Sequence, residues 1–292
     1  MAKASKALKA AKAAEAARKR SQAKVWLIAS GKGGVGKSTL SSSLAMALTE
    51  SGLRVCVVDA DIGLRDQDVL LNLENRIVYD VLDVQNGDCL LPQALISPAD
   101  YPNLSLLPAS QFSRCRDLEP KAFRQILSTL RSIFDHIIID CPAGIERGLR
   151  GLMNNEIDET VLVCTPDDVC IRNADRVVPL MEKKGLPRPW VIVNRLQEDL
   201  IRSGEMYSAQ VVADTLDLPL MGEVPEDPSV YRAVLQRIPV TDIDCPARTA
   251  LYRIARRMTG MTVAFPQIGT ARLPWYKRMK RAKVKEVKRI AH

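Results

Sequence analysis

The chain has 292 residues and a net charge of +8, and 47% of its residues are apolar, so it is long enough for one large α/β domain or two small ones. No apolar run approaches the roughly 18 residues that span a bilayer, and the basic N-terminus lacks the apolar segment of a secretory signal. We therefore expect a cytoplasmic protein.

The positive charge is concentrated at the two ends of the chain. Residues 1–24 carry +7 and residues 271–292 carry +8, which leaves −7 for the part between them. Basic tails of this kind suit anionic surfaces, either phospholipid or nucleic acid. The N-terminal tail is rich in alanine and lysine and has no apolar face, so we expect it to be solvated or to form a frayed helix.

From Val25 onward, short apolar runs alternate with helical stretches. The runs are VWLIAS (25–30), RVCVVDA (54–60), LSLLPAS (104–110), HIIIDCP (136–142), ETVLVCTP (159–166) and PWVIVNR (189–195). Because they are continuously apolar, they predict strands that are covered on both faces. Their alternation with helices predicts an α/β fold with a doubly wound, mostly parallel sheet. We place one domain at 25–265, with tails at 1–24 and 266–292.

The seven cysteines are dispersed along the chain and form no CxxC pair. Several lie inside apolar runs, which favours reduced thiols in the core over disulfides or metal ligands. Only two histidines are present, so a zinc site has few ligands available.

The first strand leads into a glycine-rich segment that matches GxxxxGK[ST] and opens a helix, which is the context of a phosphate-binding loop. Its glycines let backbone N–H groups surround phosphate oxygens, and the helix N-terminus adds its positive dipole end. Lys37 is predicted to bridge the β- and γ-phosphates, Ser38 to reach Mg²⁺ through its hydroxyl, and Thr39 to support the phosphate contacts. The loop consists of Gly31, Lys32, Gly33, Gly34, Val35, Gly36, Lys37, Ser38 and Thr39.

Carboxylates at the ends of two predicted strands are the expected companions of this loop. Asp59 and Asp61 stand where the second strand stops, and Asp140 follows three isoleucines. We predict that Asp59 and Asp140 hold Mg²⁺, directly or through water, and that Asp61 orients the attacking water. Gly144 could offer its N–H to the γ-phosphate. For Asp59 and Asp61 a role as a helix cap or turn residue remains the alternative.

The extra lysine after the first glycine, Lys32, makes the loop resemble the deviant Walker A loop of the MinD/ParA ATPases. The resemblance implies that Lys32 crosses a dimer interface to the partner's ATP, so that ATP helps to join two protomers. Four further stretches resemble the MinD branch of this family rather than ParA proteins in general. They are 59–71, 75–96, 106–111 with 140–146, and 202–233. MinD proteins commonly read GLRNLD where this chain reads GLRDQD, so Asp66 replaces an asparagine on a surface used for partners.

The resemblance further implies an adenine site. Asn194 and Arg195 match the adenine-contacting position, and the loop that closes over the base contains Pro225, Glu226 and Asp227. An asparagine side chain offers both the donor and the acceptor that the adenine edge requires. For Asn194 an ordinary turn residue is the alternative.

The C-terminal tail resembles the amphipathic membrane helix of the same family, although Lys283 and Glu286 interrupt its apolar face. A moderately apolar helix with many cations suits the headgroup region, and two tails in one dimer would bind more strongly than one. A solvated tail and a nucleic-acid-binding arm remain alternatives. On a helical projection one broad apolar face gathers Trp275, Tyr276, Met279, Val287 and Ile290.

Together these features predict an ATP-hydrolysing dimerisation switch that docks on the inner membrane and places the division site. The resemblance implies Mg²⁺ as cofactor and, as partners, a MinC-like inhibitor and a MinE-like activator of slow hydrolysis. The alternatives are a ParA-like partition ATPase that binds DNA through its basic tails, a flagellar-number regulator, and a metabolic kinase, for which no second-substrate signature is seen.

Overall fold

The computed structural model describes residues 23–111, 113–114, 117–142, 156–266 and 268. Within these ranges seven parallel strands form one sheet in the order β3-β2-β4-β1-β5-β6-β7. The strands are β1 (Lys24–Ser30), β2 (Val55–Asp59), β3 (Leu104–Leu107), β4 (His136–Asp140), β5 (Glu159–Cys164), β6 (Trp190–Leu196) and β7 (Leu220–Pro225).

Helices follow most strands and flank the sheet. The helices are α1 (Lys37–Glu50), α2 (Gln67–Leu70), α3 (Val81–Asn86), α4 (Leu91–Ala94), α5 (Pro120–Arg131), α6 (Asp168–Lys183), α7 (Glu198–Ser203), α8 (Ala209–Leu216), α9 (Pro228–Gln236) and α10 (Pro246–Met258), and a short 3-10 helix spans Val240–Asp242. Helix α1 packs on β2 and β4 and also contacts α10, which covers β7. None of the helices in the described ranges is long and apolar enough to cross a membrane.

The parallel, doubly wound sheet that the sequence predicts is confirmed. Strands β2 and β4 are buried along their whole length, as their unbroken apolar runs require. Because β1, β2 and β4 are parallel neighbours, their carboxyl ends meet at one edge of the sheet, where Asp59 of β2 is in register with Asp140 of β4. The phosphate loop leaves β1 at the same edge, which is where open α/β sheets bind ligands.

Strand β7 is the element that the apolar pattern does not reveal. Its sequence, LMGEVP, is interrupted by Gly222 and Glu223, so it lacks a continuous apolar run. It lies at the edge of the sheet and pairs with β6 through register shifts. Helix α10 holds it in place, and a Cβ added to Gly222 would lie 2.2 Å from Cγ1 of Ile254. Tertiary packing therefore defines this strand.

A buried polar contact joins β1 and β4 at the edge of the sheet opposite the phosphate loop. Trp26 donates from Nε1 to Nδ1 of His136 across 3.1 Å, and the two rings are stacked. Burial lowers the pKa of His136 to about 4. The negative charge of Asp135 raises this pKa and the positive charge of Lys24 lowers it, but both effects are smaller than that of burial. The imidazole is consequently neutral in the folded protein at physiological pH.

The cysteines in the described ranges form no disulfide with one another, and all of them are buried. Cys115 lies outside the described residues. The described cysteines are Cys56, Cys89, Cys141, Cys164, Cys170 and Cys245.

Candidate functional site

Two positions of the phosphate loop have to be glycine, because atoms of neighbouring elements lie too close to them for a Cβ. Gly36 precedes α1 with φ of 90°, and a Cβ at this position would lie 2.5 Å from Nδ2 of Asn194. Gly31 packs against α6, where a Cβ would lie 2.8 Å from the backbone carbon of Asn173. The loop is therefore pressed between β6 and α6, and it delivers the N-terminus of the 14-residue helix α1 to the sheet edge.

Asn194 braces the loop. Its Nδ2 donates to the backbone carbonyl of Val35 across 2.8 Å. The sequence assigns this amide to adenine recognition, but one of its donor positions serves the loop instead. The same contact explains why no side chain is accommodated at Gly36.

Asp140 is the centre of a buried hydrogen-bond network. Its Oδ1 accepts from Lys37 Nζ at 2.6 Å and from Ser41 Oγ at 2.9 Å, and its Oδ2 accepts from Gln67 Nε2 at 2.7 Å. Burial disfavours the charged form of Lys37, but the carboxylate of Asp140 outweighs it and raises the pKa of Lys37. The loop lysine is thus held charged beside the sheet edge.

Asp59 holds the turn that follows β2. Its Oδ1 accepts from the backbone N–H of Asp61 at 3.0 Å, and its Oδ2 accepts from that of Gln67 at 3.1 Å. Burial, together with the nearby charge of Asp140, raises the pKa of Asp59 to about 7. The turn-residue alternative is therefore realised, and each oxygen still has a lone pair for a metal or its water.

Asp61 lies within this turn, and its side chain is buried. Burial raises its pKa, Lys37 opposes the shift, and the charges of Asp66 and Asp140 add to it. The structure thereby brings Lys37, Asp59, Asp61 and Asp140 together at one sheet edge.

Lys32 has an environment opposite to that of Lys37. Its side chain is exposed, whereas Lys37 is buried and paired. Burial alone would raise the pKa of Asp167, but hydrogen bonds from the Thr165 hydroxyl and the Cys170 amide, aided by the charge of Lys32, hold it below its usual value. Lys32 therefore lies at the rim of the site, where its charge interacts with that of Asp167.

A cavity of about 290 Å³ lies beside the loop. All the residues that the sequence assigns to the adenine site line it, namely Asn194, Arg195, Pro225, Glu226 and Asp227. Gly36 and Thr39 connect it to the phosphate loop. Its far wall comes from α9 and α10 and includes Tyr231 and Leu251. A phosphate loop beside a partly apolar cavity has the layout of a nucleotide site.

Sequence reasoning missed three residues of this site. Ser41 lies one turn after Lys37 on the same helix face, so its helical spacing is a usable signal. Gln67 and Tyr231 are brought to the site by the tertiary fold, and no local sequence pattern identifies them.

Several predicted residues cannot be placed. Gly144 and the apolar residues of the C-terminal tail lie outside the described residues, as does most of the N-terminal tail. The tail residues concerned are Trp275, Tyr276, Met279, Val287 and Ile290.

Residues 21–259 match the ParA family model, described as NUBPL iron-transfer P-loop NTPase. The septum site-determining protein MinD of Helicobacter pylori is 43% identical over 257 residues, which cover 86% of this chain and 96% of that protein. The MinC:MinD cell division protein complex of Aquifex aeolicus superposes with a TM-score of 0.76 at 35% identity, covering 85% of this chain and 100% of the other.

MinD of Pyrococcus horikoshii, solved in complex with Mg-ADP, superposes with a TM-score of 0.71 at 28% identity, covering 81% of this chain and 96% of the other. The family match and these relatives span the described sheet and the site at its edge. The chain therefore belongs to the MinD/ParA family of P-loop NTPases, within its group of septum site-determining proteins.

Proposed function

We propose that this protein is an ATP-hydrolysing dimerisation switch that docks on the inner face of the cell membrane and places the division site. The observation that carries the proposal is the contrast between the two loop lysines. Lys37 is buried and held by Asp140 at 2.6 Å, while Lys32 is exposed at the rim of the site. A cation that lacks a buried partner in one protomer is suited to an anion supplied by a second protomer.

The residues at the sheet edge fit Mg²⁺ and a nucleotide. Ser38 supplies a hydroxyl oxygen, and Asp59 and Asp140 supply carboxylate oxygens, which are the hard ligands that Mg²⁺ prefers. Gln67 donates both to the Ser38 carbonyl and to Asp140, so the segments that carry these ligands lie within reach of one amide. When bound, Mg²⁺ would neutralise charge on the β- and γ-phosphates.

Each protein group then has a defined task. The loop backbone and Lys37 bind the phosphates, and Thr39 supports these contacts. Asn194 has Oδ1 left to accept from the adenine amino group, while Pro225 and its neighbours close over the base. Asp61 orients the attacking water. Lys32 of each protomer reaches the triphosphate of its partner, so loss of the γ-phosphate weakens the dimer.

The relatives support one protein partner, and the composition of the C-terminal tail supports a membrane surface. The MinC:MinD complex of Aquifex aeolicus supports a MinC-like inhibitor as a partner of this protein. We propose a MinE-like activator that improves the placement of Asp61 and the water. The basic C-terminal tail, with its apolar face, docks on anionic phospholipid, and two tails in a dimer bind together where one tail binds reversibly.

Sedimentation of the full chain with anionic vesicles, in ATP and in ADP, tests the switch. We expect cosedimentation in ATP only, its loss in Lys32→Ala, and its loss in a chain that ends at residue 270. Lys32→Ala should still bind ATP, because Lys37 is retained. Equal binding in ADP and ATP, or an ATP-bound Lys32→Ala protein that still dimerises, would refute the switch.

The basic tails also favour a second candidate, a ParA-like partition ATPase that binds DNA without sequence preference. Duplex DNA added to the same assay distinguishes the two functions. ATP-dependent binding to DNA in preference to vesicles, with affinity falling steeply as salt rises, would establish the second function in place of the first.

A further inference from the structure

Gln67 connects the three segments that carry the proposed metal ligands. Its side chain is 0% exposed, at the start of α2. Its backbone N–H donates to Asp59, and its Nε2 donates to Asp140 at 2.7 Å and to the carbonyl of Ser38 at 3.0 Å. Lys37 Nζ also donates to Asp140, at 2.6 Å, and to the Ser38 hydroxyl, at 3.2 Å, whereas Gln67 bonds Asp59 as well as Asp140 and Ser38.

The orientation of the Gln67 amide is determined by its neighbours. The Asp140 carboxylate and the Ser38 carbonyl are both acceptors, so the NH₂ group has to face them. The amide oxygen, Oε1, is then directed away from these two acceptors. It is buried, and the described residues offer it no hydrogen-bond donor. An unpaired buried acceptor of this kind costs about 1–3 kcal/mol unless the bound state supplies a donor.

We propose that Gln67 is a positioning residue for Mg²⁺ and that its Oε1 accepts a hydrogen bond from a metal-bound water. Mg²⁺ dehydrates reluctantly and keeps several waters, which are strong donors. Residues that hold the outer coordination shell set metal affinity. This inference rests on the proposed function, because it takes the cluster of Ser38, Asp59 and Asp140 as the metal site.

The test measures how strongly Mg²⁺ assists nucleotide binding. The dissociation constant of fluorescent ADP is measured for the full chain in excess MgCl₂ and in excess EDTA. The Mg²⁺ effect is the ratio of the EDTA value to the MgCl₂ value. In Gln67→Met, which keeps the length of the side chain and removes the amide, we expect this ratio to fall about tenfold, since hydrogen bonds to charged groups are worth about 1.5–3 kcal/mol.

Ser41→Ala is the matched control. Ser41 Oγ lies 2.9 Å from Asp140 Oδ1 and 3.0 Å from the backbone carbonyl of Lys37, and its one proton is shared between these two acceptors. Removing it therefore takes one donor from Asp140 without removing the acceptor proposed for the metal-bound water. Ser41→Ala should lower the ratio clearly less than Gln67→Met does, because it leaves the proposed acceptor in place. Gln67→Leu serves in place of Gln67→Met if the latter does not fold.

The affinity in EDTA should remain within about twofold of wild type in both variants, because it does not involve the metal. An unchanged ratio in the Gln67 variant would overturn the inference. An equal fall in both variants would also overturn it, since the effect would then pass through Asp140 alone. A wild-type ratio of one would overturn the proposed metal site itself, and the inference with it.

Discussion

Gly36 and Gly34 form a matched pair that isolates the contact between the phosphate loop and β6. Both have positive φ, 90° and 76°. A Cβ on Gly36 would lie 2.5 Å from Nδ2 of Asn194, whereas a Cβ on Gly34 would meet no described atom within 4 Å. Alanine at either position is therefore strained by the backbone conformation, but only at position 36 does it also displace a neighbour.

The magnitudes follow from these contacts. A left-handed conformation costs alanine roughly 1–2 kcal/mol, so we expect Gly34→Ala to destabilise the fold by about that amount. Gly36→Ala also breaks the 2.8 Å hydrogen bond from Asn194 to Val35, which adds about 1 kcal/mol, and forces the amide to move. We expect a total of about 2–3 kcal/mol, measured by urea unfolding without nucleotide.

A double-mutant cycle shows whether Asn194 is the cause. In the wild-type background Asn194→Ala removes the hydrogen bond to Val35 and should cost about 1 kcal/mol. In the Gly36→Ala background the same change relieves the clash and should cost nothing or restore stability. Equal destabilisation by Gly34→Ala and Gly36→Ala, or an Asn194→Ala effect that is the same in both backgrounds, would refute the reasoning.

Three further predictions concern other parts of the fold. The pKa of His136 is about 4 in the folded protein against an ordinary 6.5, so its contribution to the free energy of unfolding is present above pH 6.5 and is lost as the pH falls towards 4. Between pH 7.5 and pH 5, urea unfolding should show that the wild type loses about 2 kcal/mol more stability than His136→Asn does. Equal losses in the two proteins would contradict this. Lys37→Met leaves the buried Asp140 without its cation and should destabilise the fold by about 3 kcal/mol. Adding Asp140→Asn should recover part of that loss. If thermal unfolding shows no recovery, the Lys37–Asp140 ion pair is not the cause. Gly222→Ala drives a methyl group into Ile254 and should lower the melting temperature, whereas Gly222→Ala with Ile254→Ala should melt higher than the sum of the single effects predicts.

The sheet and the loop could be predicted from local sequence because each has a short-range signal. Continuous apolar runs mark strands such as β2 and β4, since both of their faces are buried. The glycine and lysine spacing marks the loop, since backbone curvature and the helix start depend on neighbouring residues. Strand-end carboxylates could be predicted to meet, because parallel strands bring their carboxyl ends to one edge.

Other parts of the site depend on contacts between distant residues, which no local pattern encodes. β7 is interrupted by glycine and glutamate, and it becomes a strand through pairing with β6 and packing against α10. Asn194 contacts Val35 and Gln67 contacts Asp140 across long stretches of chain. Sequence alone therefore determined six of the seven described strands, the phosphate loop and its acidic companions, because short-range sterics and burial specify them. Tertiary structure alone decided how each polar side chain divides its hydrogen bonds, because buried donors and acceptors pair with whatever group the fold places beside them.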